Sequence, residues 1–173
     1  MGFTLGSLTE ISRPTVLKYL QTLEDTFVLS FLPPFFTNKR SALSKREKVY
    51  FGDLGLRNFC GGGFTSISAR GDIGALVENA AFLGIKDNLN PEWQIFFWQT
   101  KSGVEVDFIL ERNGEIVPVE VKWKNFTSPE IPRSLVSFID EFSPNKAFVL
   151  TAGFKGSKMF KKTFKQFLNE KLF

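Results

Sequence analysis

Apolar and polar residues alternate along Gly103-Val-Glu-Val-Asp107-Phe and again along Ile116-Val-Pro-Val-Glu120-Val-Lys122, on either side of Asn113-Gly114. Alternation of this kind marks β-strands, and Asn-Gly suits the positive φ angles of a tight hairpin turn. The pattern predicts strands over about 104–111 and 115–123. Gln94 to Thr100 reads as a strand before them, and Lys146 to Thr151 as one after. Helical spacing of Ile73, Leu76, Val77, Ala80 and Gly84 predicts a helix from Gly71 to Asn88. Further helices are expected over Pro129 to Phe142 and Ser157 to Leu172. A strand projects alternate side chains to one face, so Glu120 and Lys122 share a face with Ile116 and Pro118, and Asp107 on the partner strand can come beside Glu120.

Upstream, Ser12-Arg13-Pro14 is a helix start: a hydroxyl to cap open N–H groups, then proline in the first turn. Val16, Leu20 and Leu23 recur on one face, leaving Lys18, Gln21 and Thr22 on the other. Leu5 to Ile11 reads as the end of an earlier helix or a turn. Phe27 to Leu32 and Lys48 to Phe51 read as strands separated by Pro33-Pro34 and a basic segment. Helix, strand, basic loop, strand is a winged-helix layout in which the helix would present its N-terminal side chains to DNA bases. It is also the layout of many hairpin domains that never touch DNA. The glycine- and serine-rich stretch from Cys60 to Gly71 reads as a linker. The expected division is a partial winged-helix segment over 1–60, a linker over 61–70 and an α/β domain over 71–173. Eleven residues before Ser12 are too few for a full winged helix, so a fragment or a shortened gene product is expected.

Composition removes several chemistries. The chain of 173 residues has no histidine and one cysteine, Cys60. Histidine-based triads, histidine acid–base catalysis, the usual zinc and haem ligand sets and an internal disulfide are therefore excluded. A reducing, cytoplasmic location is expected. Any metal must be held by oxygen atoms, which favours magnesium, manganese or calcium. No apolar run approaches a membrane span, and no signal-peptide pattern is present. The 21 phenylalanines against two tyrosines fit either core filling or a surface that docks on a partner.

The net charge of +4 is unevenly spread. Lys39, Arg40, Lys45, Arg46 and Lys48 crowd the segment from Asn38 to Lys48, and six lysines lie between Lys155 and Lys171, so the remainder is acidic. With Lys18, the first group is a candidate footprint for a nucleic-acid backbone; solvated lysines explain the second as well. The candidate chemistry lies at Asp107, Glu120, Lys122 and Glu78. Close carboxylates repel unless a cation or a shared proton intervenes. The simpler alternatives are a surface ion pair between Glu120 and Lys122, a capping role for Asp107 and plain exposure for Glu78. Glu105 shares a face with Asp107 and could assist or compete. Asp53 reads as a turn cap, and Trp98 and Trp123 as packing.

Asp107 with Glu120-Val-Lys122, Glu78 on the preceding helix and the helix-strand-strand-strand-helix-strand order together resemble the PD-(D/E)XK nuclease superfamily, with Val106 where proline often precedes the aspartate. The resemblance covers roughly 70–173 and implies a restriction-endonuclease-like core: a mixed central sheet flanked by helices. Arg13-Pro-Thr-Val-Leu-Lys-Tyr-Leu-Gln-Thr-Leu-Glu24, Leu32-Pro-Pro-Phe35, Lys48-Val-Tyr-Phe-Gly-Asp53-Leu-Gly-Leu56, Gly74-Ala-Leu-Val-Glu-Asn79 and Phe97-Trp-Gln-Thr-Lys-Ser-Gly-Val-Glu-Val-Asp-Phe108 follow in order. Over about 10–150 these are similar to the C-terminal part of a family of prokaryotic AAA+-type ATPases. No phosphate-binding Gly-x-x-x-x-Gly-Lys-Ser/Thr loop occurs, so an ATPase would be a separate partner or a missing upstream module.

The resemblance implies Mg2+ or Mn2+ held by Asp107, Glu120 and the Val121 carbonyl. Lys122 would act at the scissile DNA phosphate, with Glu78 assisting. The alternatives are a DNA-binding module with a degenerate nuclease fold, or an ATPase-interaction scaffold that forms a homo-oligomer or a partner complex.

Overall fold

The computed structural model describes residues 11–35, 46–124, 127–128, 130–152, 156–160 and 163–167. Helix α1 spans Arg13–Asp25, with the Ser12 side chain accepting from the Thr15 N–H at its start. Strands β1 (Leu29–Leu32) and β2 (Lys48–Phe51) pair antiparallel. A short helix α2 (Leu54–Arg57) begins at Asp53, whose carboxylate accepts from the Leu56 N–H at 2.7 Å, the capping role expected of it. Helical turns over Asn58–Gly62 and Ile67–Ala69 lead into helix α3 (Ile73–Asn88). Then follow β3 (Gln94–Gln99), β4 (Glu105–Arg112), β5 (Glu115–Lys122), α4 (Arg133–Phe142) and β6 (Phe148–Thr151). The helix-strand-strand-strand-helix-strand order read from the sequence is present.

Where the final helix from Ser157 to Leu172 is expected, the described residues form two paired strands, and 161–162 and 168–172 lie outside the described residues. Residues of that segment form strands β7 (Gly156–Phe160) and β8 (Thr163–Phe167), paired antiparallel. Phe160, Phe164 and Phe167 are spaced for a helix, but phenylalanine and Thr163 are also strand formers, and strand pairing overrides the weaker periodicity.

The main sheet runs β3-β4-β5-β6, antiparallel except for the parallel β5/β6 pair. The β4–β5 turn is Asn113-Gly114, with φ of 51° and 83°, the two positive values a type I′ turn requires. Beyond β1 the chain adds to the edge of β3: Phe97 donates to Pro33 O at 3.1 Å, and its carbonyl accepts from Phe35 N at 2.6 Å.

Helices cover both faces of this sheet. On one, Val77, Ala81 and Phe82 of α3 pack with Phe97, Phe108, Val119 and Val121, and with Leu32 and Tyr50 from the N-terminal hairpin. On the other, Leu135, Phe138 and Ile139 of α4 pack with Trp98, Val106, Ile109 and Val149. Phenylalanine does fill the core, in the Phe35–Phe96–Phe138–Phe142 and Phe82–Phe108 groups, yet Phe27, Phe59 and Phe64 are exposed. The apolar stripe of α1 is not buried: Val16 and Leu20 are half-covered and Leu23 is exposed.

Arg70 ties the end of the glycine- and serine-rich stretch back to its start. The Arg70 guanidinium, 2% exposed, donates to Asp72, Asn58 Oδ1 and the Gly63 carbonyl. Arg57 also pairs with Asp72 at 2.9 Å, and hydrogen bonds from Arg70 and then Arg57 lower the Asp72 pKa. Among the described residues, no helix is long and apolar enough to cross a membrane.

Candidate functional site

A β-bulge sets the site. Between β3 and β4 the register runs Phe96↔Ile109 and then Trp98↔Val106, so β4 carries one extra residue. Both Val106 and Ile109 consequently reach the α4-side cluster, and Asp107 lies between them outside the regular alternation. Bulges re-aim side chains in this way. The Cα pairing of β4 with β5 begins at Phe108↔Val119. One step beyond it, the Val121 N–H donates to Asp107 Oδ2 at 2.8 Å.

Four carboxylates gather around this point in two groups. Glu78 of α3, Glu105 and Asp107 surround one ammonium: Lys48 Nζ lies 2.8 Å from Glu78 Oε1, 2.6 Å from Glu105 Oε1 and 3.8 Å from Asp107 Oδ1. The Tyr50 hydroxyl donates to the same Glu78 oxygen at 2.6 Å, and Gln99 Nε2 donates to Glu105 Oε2 at 2.9 Å. The second group is Glu120, 2% exposed. Its Oε1 accepts from Ser134 Oγ of α4 at 3.0 Å and meets Lys122 Nζ at 2.6 Å. Its Oε2 is buried and has no hydrogen-bond partner among the described residues. Buried carboxylate oxygens are costly to leave unpaired, so such an atom is a signal.

Position between α3 and β2 is fixed by Asn79. Its side-chain oxygen accepts from the Phe51 N–H at 3.0 Å, and its amide donates to the Phe51 carbonyl at 2.9 Å. The amide thus acts as a one-residue strand along β2, and it locks Lys48 and Tyr50 in register with Glu78. A cleft of about 430 Å³ opens beside them, lined by Lys48, Tyr50, Arg57, Glu78, Asn79 and Glu105 among others.

The electrostatics follow from crowding and burial. Burial, then the charges of Glu120 and Glu78, push the Asp107 carboxyl up to about 7. For Lys48, burial alone would lower the pKa; Glu78 and Glu105 outweigh it and hold the ammonium charged. The Tyr50 hydroxyl is held protonated by burial and by Glu78. Burial also works against the Lys122 ammonium, and the hydrogen bond and charge of Glu120 override it.

The structure brings Asp107, Glu120, Lys122 and Glu78 into one neighbourhood. Val121 contributes its N–H to Asp107. The ion pair between Glu120 and Lys122 is real, but one end is deeply buried rather than at the surface. Lys48 departs from expectation. Grouped in sequence with a basic loop, it is instead the internal counter-ion of the acids, 19% exposed, because strand alternation turns Lys48 and Tyr50 inward together. Lys18 and Arg46 are exposed; Lys39, Arg40 and Lys45 lie outside the described residues. Sequence reasoning also missed Ser134 and Arg70, for which no local pattern existed. Among the described residues, no three acidic or cysteine side chains form a ready-made metal cage.

A family model described as a domain of unknown function (DUF4143) matches residues 73–168. A second, also a domain of unknown function (DUF8612), matches residues 3–66. Two curated proteins, the uncharacterized protein Mb2031c of Mycobacterium bovis and the uncharacterized protein Rv2008c of Mycobacterium tuberculosis, are each 26% identical over 138 residues. The alignment covers 79% of this chain but 31% of each relative, so the chain spans less than a third of their length. A solved half-complex of a tetradecameric assembly of Thermococcus gammatolerans McrB AAA+ hexamers with bound McrC is similar over 56% of this chain and 27% of that chain, with 14% identity and a TM-score of 0.47. The match over 73–168 takes in more than half of the chain, including all the clustered acids and Lys122, and the protein belongs to the DUF4143 family.

Proposed function

We propose that this chain carries a divalent-metal-dependent, nuclease-like site acting on DNA phosphodiester bonds, in a system linked to an AAA+-type ATPase. The observation that carries the reading is the buried Oε2 of Glu120, unpartnered among the described residues, on a carboxylate whose charge reaches Asp107. The donor set fits magnesium or manganese: hard oxygens only, with two carboxylates, which suffice for an ion that keeps most of its waters. Asp107, Glu120 and the Val121 carbonyl would hold it. A divalent ion there supplies a lowered pKa for bound water and neutralises charge on the phosphate.

The chain's own groups do the rest. Ser134 fixes the Glu120 carboxylate, and the Val121 N–H fixes that of Asp107. Lys122, half-exposed at the rim, is placed to meet a phosphate oxygen, and Lys48 with Tyr50 holds Glu78. The partial winged-helix segment over 1–60, joined through 61–70 to a PD-(D/E)XK-like core over 71–173, belongs to this reading. DNA would run past the exposed Lys18 and Arg46. The ATPase link rests on the resemblance of residues 10–150 to ATPase C-terminal regions.

One observation favours a second reading, a non-cleaving binding or ATPase-interaction module: Lys48 already pairs with Glu78 and Glu105. Manganese titration of the wild type and Glu120→Gln, with plasmid nicking in parallel, separates the two. Binding and nicking that both disappear in Glu120→Gln establish the first reading. Binding without nicking leaves the second, and a folded wild type that binds no metal removes the metal site altogether.

A further inference from the structure

The contacts between acids and cations in this site are uneven, and the unevenness is directional. Glu78, Glu105, Asp107 and Glu120 face two cationic side chains, Lys48 and Lys122, in these contacts. Lys48 satisfies only one side. Its ammonium contacts Glu78 and Glu105 at 2.8 and 2.6 Å but stands 3.8 Å from Asp107, while Glu120 keeps one buried oxygen without a partner among the described residues. Nor is Lys48 free to swing away. It is held from β2, whose register Asn79 fixes through two hydrogen bonds to Phe51, and its ammonium lies over the Phe97 ring, 5.5 Å from the centroid.

We infer that Lys48 is a built-in cation that occupies the Glu78–Glu105 side of the acid cluster and so restricts the site to a single divalent ion on the Asp107–Glu120 side. The inference rests on the metal reading above and adds a stoichiometry to it. One divalent ion on that side would meet the buried Glu120 oxygen that has no partner among the described residues. A second ion would have to displace an ammonium that Glu78, Glu105 and Asp107 all attract. Glu78 is thereby withdrawn from metal binding, and its role is to seat Lys48.

The test counts ions rather than turnover. Manganese is titrated into the full chain and free Mn2+ is read by electron paramagnetic resonance, for the wild type, Lys48→Met and Lys48→Arg. Methionine keeps the stem and removes the charge; arginine keeps the charge. The expected result is one ion for the wild type and Lys48→Arg, and two for Lys48→Met, the second lost again when Glu78→Gln is added. One ion in both the wild type and Lys48→Met, at affinities within about threefold, overturns the role of Lys48 and leaves the metal reading standing. No ion in a folded wild type removes both. If Lys48→Met unfolds without metal, recovery of its far-ultraviolet circular dichroism with two bound manganese ions supports the inference. A chain that stays unfolded in saturating manganese overturns it, because no ion then replaces the lysine.

Discussion

Replacing Asp107 by asparagine removes a charge that the fold holds at a cost, and the size of that cost can be read from the pKa. The carboxyl moves from 3.8 to about 7 on folding, first through burial and then through repulsion by Glu120 and Glu78. At about 1.4 kcal/mol per unit, the ceiling is about 4 kcal/mol. Relaxation and water entry reduce this, so a gain of about 1–3 kcal/mol for Asp107→Asn is expected at about pH 8. The side-chain amide oxygen introduced by the substitution can still accept from the Val121 N–H, so that hydrogen bond is kept. The sign follows from linkage. A carboxyl whose pKa rises on folding imposes no penalty below its unfolded value; stability is lost as pH climbs toward the folded value and levels off above it. The gap between variant and wild type should therefore be near zero at about pH 4, open between about pH 4 and 7, and hold constant above about pH 8. In a domain of this size that corresponds to a rise in Tm of roughly 2–10 °C. Urea unfolding in metal-free buffer at about pH 4.5, 6 and 8 measures it, and excess manganese should close the gap by stabilising the wild type alone. A variant less stable than the wild type at the highest pH, or a gap that ignores pH, would refute the account of the site as a strained pair of acids.

Three further outcomes bear on the frame around the site. Arg70→Met should lower stability by about 2–4 kcal/mol in urea, since the Gly63 carbonyl and Asn58 lose a buried donor; a change under about 0.5 kcal/mol would mean that the segment over 61–70 is not pinned. Gly52→Ala would drive a methyl into the Phe27 carbonyl oxygen. A loss of about 1–3 kcal/mol by thermal melting is expected, and a neutral result would remove the close approach. Phe138→Ala empties a fully buried site packed against Trp98, Phe35 and Phe142. It should cost about 3–5 kcal/mol and weaken the near-ultraviolet circular dichroism of Trp98, which an unchanged spectrum would contradict.

Much of the frame was legible because local rules decide it. Asn113-Gly114 names its own turn, and the spacing of Ile73, Val77 and Ala80 names α3 to within two residues at its start. Glu120 and Lys122 follow from alternation alone. What stayed hidden depends on distance along the chain. Lys48 meets Glu78 and Glu105 across 30 and 57 positions, and no window of sequence joins them, although the pairing of Lys48 with Tyr50 on one strand face was available. The bulge at Asp107 has no composition signal, since either strand could have carried the extra residue. Arg70 looked like linker because glycines and serines surround it, whereas its burial is set by Asn58 and Asp72. The C-terminal hairpin eluded periodicity because its phenylalanines suit both structures.

The sharing of one apolar cluster by Leu32, Tyr50, Val77, Phe82 and Phe108 bears on how such a chain can be rearranged by recombination. A crossover between 52 and 72 would carry the acids into a new setting and leave behind the ammonium that seats two of them, together with two side chains that close the core. Shuffling at that seam would thus yield a protein with an open flank and a cluster of unmatched negative charge. The N-terminal hairpin and the sheet are therefore expected to work only as a matched pair, each supplying part of one closed core.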